Sequence, residues 1–404
     1  MSEINKKYVF VFLLVITIST LTAQNWTQVA SMGDGRYGAV SFSINNKGYV
    51  TTGQTTTLTK KTTWEYNPST NTWAQKADFP GGNRRVATGF ATGDQGYVGT
   101  GRDDSSSSGI LHNDFWKYNP TANTWIQIAN YPAGNRENMV AFSIANYAYV
   151  GLGLAGSRKT EFYKFDPTID AWTALQNINY NYHLYNTTTF TSNGKGYMAT
   201  GSINNPPSGS ITTNAVFMYD PSNDTWTPKN NFTGGARLYG AGFSVLGNSY
   251  IGLGWDGNFL TDLWRYNDVA DNWTQVNDFT PGSRLYASTF TLNDIAYIGN
   301  GRSPTSISYD TFYSWQPSLS TIEFQNQTFD TMVSNDKIVL YSNQNLSNYQ
   351  LNLYNLKGQE VLSTSFIDNL QPIPVYHNLQ SGVYILQLNN IINGWKFSKK
   401  IIVP

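Results

Sequence analysis

The sequence has no cysteine among its 404 residues and only three histidines. The absence of cysteine excludes disulfides, thiolate metal sites and cysteine nucleophiles. Charged residues make up only 13% of the chain, the formal net charge is zero, and no basic run exceeds two residues. These features exclude the electrostatic footprint of a nucleic-acid binder or of a polybasic membrane-surface protein. The sequence also lacks a P-loop, a G-x-S-x-G elbow, an H-E-x-x-H helix and an EF-hand loop.

Aromatic residues and glycine are abundant instead, with 27 Tyr, 21 Phe, 12 Trp and 35 Gly. Short runs of alternating apolar and polar residues are separated by turn residues, and few segments have helical spacing. This composition is typical of an all-β protein with many turns. Disorder is excluded because the chain combines neither low hydrophobicity nor high net charge. The length predicts more than one domain.

Residues 1–23 have the pattern of a secretory signal peptide. Lys6 and Lys7 form a basic region, residues 8–21 are mostly apolar, and Ala23 is a plausible last residue before cleavage. The apolar stretch is shorter than the roughly 20 residues that a membrane-spanning helix needs. A buried N-terminal strand or an uncleaved anchor is the alternative. We therefore predict an exported protein whose mature chain has no transmembrane helix.

A long unit recurs six times along the chain. It is marked by a Phe, by a Tyr seven residues later, and by a Gly four residues after that Tyr. A block such as WEYNP or FWKYNP follows, and five copies have a Trp seven residues after its central aromatic residue. The marking phenylalanines, which define repeats 1 to 6, are Phe42, Phe90, Phe142, Phe190, Phe243 and Phe290. Each repeat contains four short alternating runs, which predict a four-stranded sheet and therefore a propeller blade.

The two ends of the repeat region predict how the ring closes. Repeat 6 ends near Pro317 without the final Trp strand, whereas Trp26 precedes repeat 1 without three strands before it. We predict that the strand at Trp26 completes the sixth blade. Pairing the two chain ends in this way would remove an open sheet edge.

The GYVGTG and YIGLG segments, the Arg that precedes them and the Tyr-then-Trp pair resemble the kelch repeat over about residues 24–317. The resemblance implies a six-bladed kelch-type β-propeller closed by an N-terminal strand. Galactose oxidases are built on such propellers and bind copper through two His and two Tyr, one of them crosslinked to Cys. The absence of Cys disfavours that chemistry, so a "galactose oxidase-like" label would be fold analogy. We predict no cofactor and no metal site, with His112 and His183 as loop residues.

The segment after Pro317 differs from the repeats. Residues 318–330 are predicted to be a linker, and residues 331–404 contain runs for six or seven strands of a small β-sandwich. The LYNLKGQEV hairpin, the GVYILQL strand and the terminal KKIIV resemble the type IX secretion sorting domain of Bacteroidetes-type bacteria. The resemblance implies engagement of that machinery and a secreted or cell-surface location, reached through the periplasm and across the outer membrane. A carbohydrate-binding or adhesive sandwich is the alternative.

A candidate ligand site lies at one mouth of the predicted ring, where the loop into the first strand and the loop after the second strand share a face. Most of the length variation between repeats falls in the second loops. A regular scaffold with variable loops is where binding is expected. The candidate ligand-binding residues are Arg36, Arg84, Arg102, Asp103, Arg136, Glu137, His183, Arg237, Trp255, Asp256, Arg284 and Arg302.

Two functions fit these residues. The first is a non-catalytic binding module that captures a glycan, peptide or protein at the mouth. The second is a carbohydrate-active enzyme resembling the kelch-type sialic acid mutarotases or epimerases, in which arginines hold a carboxylate and Glu137 moves a proton. Binding is favoured because Glu137 has no evident catalytic partner. The repeated arginines could instead be architectural, each pairing with backbone carbonyls.

Overall fold

The computed structural model describes residues 26–106, 109–178, 184–204, 209–317, 329–334, 336–342, 349–366, 373–390 and 396–403. The predicted signal peptide lies outside these residues. All regular elements in the described ranges are β-strands, which confirms the predicted all-β class. Within the same ranges no helix has the length and apolar character needed to span a membrane. The chain divides into two compact units, the first of which ends at Pro317.

The first unit contains six four-stranded antiparallel sheets in its described residues, one for each repeat. The first strands are Val40–Ile44, Thr88–Thr92, Val140–Ile144, Thr188–Ser192, Ala241–Val245 and Ser288–Leu292. The second strands are Lys47–Thr51, Gln95–Gly99, Tyr147–Gly151, Lys195–Asn204, Asn248–Gly252 and Ile295–Gly299. The third strands are Thr63–Asn67, Phe115–Asn119, Phe162–Asp166, Ser210–Asp220, Leu263–Asn267 and Phe312–Trp315. Fourth strands from the same repeat are Thr72–Lys76, Thr124–Ile128, Ala171–Ala174, Thr225–Lys229 and Asn272–Val276.

The fourth strand of the sixth sheet comes from the start of the described chain. Thr27–Val29 pairs antiparallel with Phe312–Trp315, with Thr27 opposite Ser314. The strand order of this sheet is therefore the same as in the other five.

Trp26 has the surroundings of the Trp that begins the fourth strand in the other repeats. Its ring packs edge-on against Phe279 at 4.6 Å between centroids, and its Nε1–H donates to the carbonyl of Asp278 at 3.2 Å. Trp125 of repeat 2 likewise donates from Nε1 to the carbonyl of Ala77 at 3.0 Å. Both indoles thus bind the chain just after the fourth strand of a neighbouring sheet.

Adjacent sheets meet where a Phe ring covers a small residue. The Phe42 ring occupies the space that a Cβ on Gly96 would need, and Phe290 does the same over Gly48. The first contact joins the sheets of repeats 1 and 2, and the second joins the sheets of repeats 6 and 1. Glycine is required at these positions because the neighbouring ring leaves no room for a side chain.

The turn between the third and fourth strands also joins neighbouring sheets. Asn71 adopts the left-handed conformation with φ of 51°. Its Oδ1 accepts hydrogen bonds from Tyr66 Oη at 2.9 Å and from the Ala30 backbone N–H at 2.8 Å. The same pair of bonds is made by three equivalent residues, Asn123, Asp224 and Asp271. Asn and Asp suit this position because they tolerate positive φ and carry an acceptor oxygen.

The second unit contains seven described strands: Phe329–Val333, Lys337–Ser342, Tyr349–Asn355, Glu360–Ser365, Ile373–Tyr376, Gly382–Asn390 and Lys396–Val403. They form a three-stranded and a four-stranded sheet. Leu340 from the first sheet and Leu351 and Leu386 from the second belong to one buried apolar cluster. The strand Phe329–Val333 begins inside the segment predicted as linker, because its residues pair in register with Lys337–Ser342. The rest of that segment, residues 318–328, lies outside the described residues.

Replacing Trp26 with Ala should lower the free energy of unfolding by about 3–5 kcal/mol, as expected for removal of a buried Trp. The residue is 8% exposed and ties together strands from the two ends of the first unit. Trp125→Ala should have a similar effect, whereas Trp255→Ala should have little, since Trp255 is 37% exposed. Urea unfolding monitored by fluorescence and circular dichroism would measure all three. An unchanged midpoint for Trp26→Ala would contradict its role in the sixth sheet.

Candidate binding site

The repeated arginines are buried, each at most 1% exposed. Every one donates from Nη1 to the carbonyl oxygen of the residue sixteen positions later, at 2.8–3.1 Å. The pairs are Arg36 with Thr52, Arg84 with Thr100, Arg136 with Leu152, Arg237 with Leu253, and Arg284 with Asn300. These bonds favour the architectural interpretation, because a ligand arriving from solvent would have to displace the guanidinium from its own repeat.

Acidic side chains form ion pairs with several of these guanidinium groups. Arg84 lies 2.7 Å from Asp114 Oδ1, and Arg237 lies 2.5 Å from Asp262 Oδ1. Each acid stands just before the third strand of the same repeat. The pairs therefore connect the loop before the first strand to the end of the loop before the third.

Repeat 4 lacks this charge pair. The residue six positions before Phe190 is Leu184, which is 1% exposed, and Ala215 holds the position of the acid. An apolar pair thus replaces the ion pair. His183, the sequence-based candidate for this position, is one residue earlier and lies outside the described residues.

The residue directly after each repeated arginine, or after Leu184, faces the second loop. It forms an antiparallel bridge with the residue that follows the repeated Gly. The six pairs are Tyr37 with Gln54, Arg85 with Arg102, Glu137 with Leu154, Tyr185 with Ser202, Leu238 with Trp255, and Leu285 with Arg302. We call the surface formed by these paired loops the mouth. Its backbone is constant, whereas its side chains differ in every repeat.

The next residue in each repeat has a left-handed backbone. These residues, with φ between 46° and 60°, are Gly38, Val86, Asn138, Asn186, Tyr239 and Tyr286. They line a common cavity of about 140 Å³, together with neighbours that include Met139 and Thr187. Backbone hydrogen bonds link successive repeats here, as from Val86 N–H to the Gly38 carbonyl at 2.8 Å. The strained conformation of a β-branched Val shows how strongly the surroundings fix this ring of residues.

A charged cluster lies at the mouth between repeats 2 and 3. Arg85 Nε donates to Asp104 Oδ2 at 2.6 Å, and Arg102 Nε donates to Asp104 Oδ1 at 2.8 Å. Burial favours the neutral form of Asp104, but these two hydrogen bonds hold its pKa below the ordinary value. Arg102 Nη1 also lies 3.9 Å from Glu137 Oε1. Arg102 and Glu137 belong to the candidate ligand-binding residues predicted from the sequence, whereas Arg85 and Asp104 do not.

Glu137 is the most buried carboxyl at the mouth, at 5% exposed. Burial raises its pKa, against the opposing effect of Arg85 and Arg102. Its Oε2 is buried without a hydrogen-bond partner, as are the amide oxygen of Asn186 and the hydroxyl of Thr187, which line the cavity. Buried polar atoms without partners are costly, so these atoms indicate a place that a ligand or water completes.

Aromatic rings line the mouth on the side of repeats 5, 6 and 1. Tyr239 and Tyr286 stack at 4.3 Å between centroids, and Tyr37 lies 6.2 Å from Tyr286. Arg302 sits over Tyr37 at 5.8 Å. Burial raises the pKa of Tyr286 well above its ordinary value, so it is a neutral phenol. The mouth therefore offers a charged side and an aromatic side to one ligand.

The remaining candidates lie in the second loops. Trp255 and Asp256 are exposed, and the Asp256 carboxylate accepts from the Asn258 N–H at 2.9 Å. Asp103 accepts from the Ser105 N–H at 2.8 Å. His112 forms a backbone bridge with Arg136, and burial lowers the pKa of its imidazole. Among the described residues, no three His, Asp or Glu side chains are grouped as they would be around a metal ion.

Comparison with known proteins adds evidence for both units. Residues 334–404 match the family model of the secretion system C-terminal sorting domain. This segment is a type IX sorting domain. It indicates export to the cell surface or the medium. The match covers residues of the C-terminal unit alone, so it says nothing about the first unit.

The solved structure of YjhT, a kelch-type propeller, matches with a TM-score of 0.62 at 16% sequence identity. The match covers 72% of this chain and 98% of that chain. At this identity the likeness is one of fold, and it agrees with a propeller-like first unit. A search of curated protein sequences finds no match.

Replacing Arg237 with Leu should lower the free energy of unfolding by about 3 kcal/mol, because Asp262 would lose its buried partner. The double variant Arg237→Leu with Asp262→Ala reproduces the combination found at Leu184 and Ala215, and it should recover most of that loss. Urea unfolding of the full chain measures both. A double variant no more stable than the single one would contradict the pairing.

Glu137→Gln should change the pH dependence of stability. Because burial raises the folded-state pKa of Glu137, ionisation of this carboxyl destabilises the folded protein. The free energy of unfolding is therefore unaffected below the ordinary pKa of 4.5 and falls as the pH rises through the folded-state pKa. The variant should therefore unfold at a higher temperature than the parent at pH 7, with no difference near pH 4. Glu161→Gln is the control with opposite sign, since hydrogen bonds and Arg136 outweigh desolvation and lower the pKa of Glu161. Equal pH profiles for parent and Glu137→Gln would contradict the assignment.

Proposed function

We propose that this protein is an exported, six-bladed kelch-type β-propeller that binds a ligand at the mouth of its ring. The observation that carries the binding role is the set of unlike side chains at one equivalent position in six repeats. Arg85, Glu137 and Tyr185 occupy this position beside an open cavity, and buried polar atoms there have no protein partner. A purely structural position would be expected to repeat, as the buried arginines do.

Three contacts support closure of the ring. Thr27–Val29 pairs with the third strand of repeat 6, and the Phe290 ring of repeat 6 covers Gly48 of repeat 1. The Ser41 hydroxyl of repeat 1 also donates to the Thr289 carbonyl of repeat 6 at 2.9 Å. A closed ring fixes the mouth loops relative to one another, which preorganises a site built from several repeats.

The proposed function includes export of the propeller from the cell. Residues 1–23 would direct the chain into the periplasm, and residues 331–404 would take it through the type IX machinery across the outer membrane. The match of residues 334–404 to the sorting family supports the second step. The propeller would then act outside the cell, either released or held on the surface.

A second candidate function is a carbohydrate-active enzyme such as a sialic acid mutarotase or epimerase. The observation favouring it is Glu137, a buried carboxyl with a raised pKa close to Arg85 and Arg102. A carboxyl with a raised pKa can exchange a proton with a substrate, and the arginines can hold an anionic substrate. Anomer exchange of sialic acid followed by NMR, in the parent and in Glu137→Gln, tests this function directly.

Binding is tested with the purified exported chain on arrays of glycans and peptides, followed by calorimetry with the best ligand. Arg85→Gln should weaken binding by about tenfold or more, since a charged hydrogen bond at a site centre typically contributes over 1 kcal/mol. The unfolding midpoint should change little. Lys117→Gln, on the third strand of repeat 2, is the control and should bind as the parent does. If Arg85→Gln and Asn186→Ala both bind as the parent does, the mouth is not the site.

A further inference from the structure

Large apolar side chains are exposed on the segments that connect the second and third strands, including the first residues of the long third strand of repeat 4. They are between 37% and 65% exposed and come from repeats 1, 2, 4, 5 and 6: Leu58, Ile110, Ile211, Trp255 and Ile307. These segments differ in length and sequence, yet five of the six carry such a residue. We call this set the apolar rim. Single exposed apolar residues are ordinary, but a set repeated around one face indicates an interaction surface.

Members of the apolar rim come from opposite sides of a six-membered ring. Repeats 1 and 4 carry Leu58 and Ile211, and repeats 2 and 5 carry Ile110 and Trp255. A ligand that contacts both members of either pair must span the mouth. A single sugar or metabolite in the central cavity of about 140 Å³ is too small to do so. The rim therefore favours a macromolecular ligand.

The chemistry of the rim favours protein over polysaccharide. Leu58, Ile110, Ile211 and Ile307 are aliphatic, so they have no π-face on which a sugar ring could stack. Aliphatic side chains bury well against the apolar side chains of another protein. The Tyr rings and arginines inside the rim match the composition found at the centres of protein interfaces.

The Arg85 guanidinium offers hydrogen-bond donors inside the apolar rim, so a ligand should bring an acceptor group. Among the residues that the structure describes, the Arg85 side chain makes one hydrogen bond, from Nε to Asp104, so its two terminal nitrogens remain for a ligand. The side chain is 24% exposed. A guanidinium presents two parallel donors to a carboxylate. Arg102 also donates to Asp104, so two guanidinium groups share this one carboxylate and Arg85 can bind a second acceptor through its terminal nitrogens.

We propose that the mouth docks a protein partner that lays apolar side chains on the rim and directs a carboxylate toward Arg85. This proposal rests on the proposed function, because it requires the ring and its ligand site at the mouth. It names the class of ligand that the site takes. The partner's carboxylate supplies the central contact, and its flanking apolar residues supply most of the buried area.

The test uses the full exported chain as the target for selection from a displayed library of 12-residue peptides. Selected peptides should contain Asp or Glu flanked by apolar residues. The double variant Leu58→Ser with Ile211→Ser should bind them about tenfold more weakly, and Arg85→Gln should do the same. The matched control is Ile169→Ser with Val269→Ser, which removes even more exposed apolar residues, 70% and 83% exposed, from turns between third and fourth strands at the other end of the sheets. This control should bind as the parent does.

The outcomes separate this proposal from the proposed function. Peptides bound equally by parent and rim variant would overturn docking on the rim. A glycan that binds the parent and depends on Arg85 but not on the rim, with no peptide selected, would overturn the protein partner and keep the binding module. Ligands unaffected by the rim variant and by Arg85→Gln would overturn both.

Discussion

In five of its six repeats the mouth depends on one hydrogen bond, from a buried guanidinium to the carbonyl of the residue sixteen positions later. It ties the loop before the first strand to the end of the second strand. The residue after the arginine is thereby held opposite the residue after the repeated Gly. Because the arginine fixes the backbone, the following side chain can be Arg85, Glu137 or Leu238 without a change in the surrounding geometry.

The fold could be predicted from spacing because its packing is periodic. Each repeat places the same aromatic residues at the same points of a pleated sheet, so the unpaired Trp26 already indicated a strand missing from repeat 6. The site was less predictable because the side chains of consecutive residues in an extended segment point to opposite sides. Arg84 and Arg85 are adjacent and chemically identical, yet the first is buried against Asp114 and the second reaches the mouth. Glu137 was identified because it was the single Glu in this region, and the useful signal was its change of identity at a repeated position.

Stability and binding are divided between neighbouring residues. The buried arginines use Nη1 for hydrogen bonds within the protein, and Asn71 uses its amide oxygen in the same way. The rings over Gly48 and Gly96 pack against the neighbouring sheet. Glu137 and Asn186 keep buried polar atoms without partners. Such groups reduce stability, and proteins retain them where function requires them. The hydrogen bonds and packing of the repeated residues offset the loss of stability at Glu137 and Asn186.

The pairing of Thr27 with Ser314 joins residues separated by 287 positions. Contacts this distant in sequence form slowly, since a long loop must close before they give any stabilisation. Until residues 312–315 have emerged, the sixth sheet cannot begin to recruit its N-terminal strand. The first unit is therefore completed only when the chain leading into the sorting domain is available. Completion of the sixth sheet thus waits for the last of the six repeats, and it depends on a single three-residue strand.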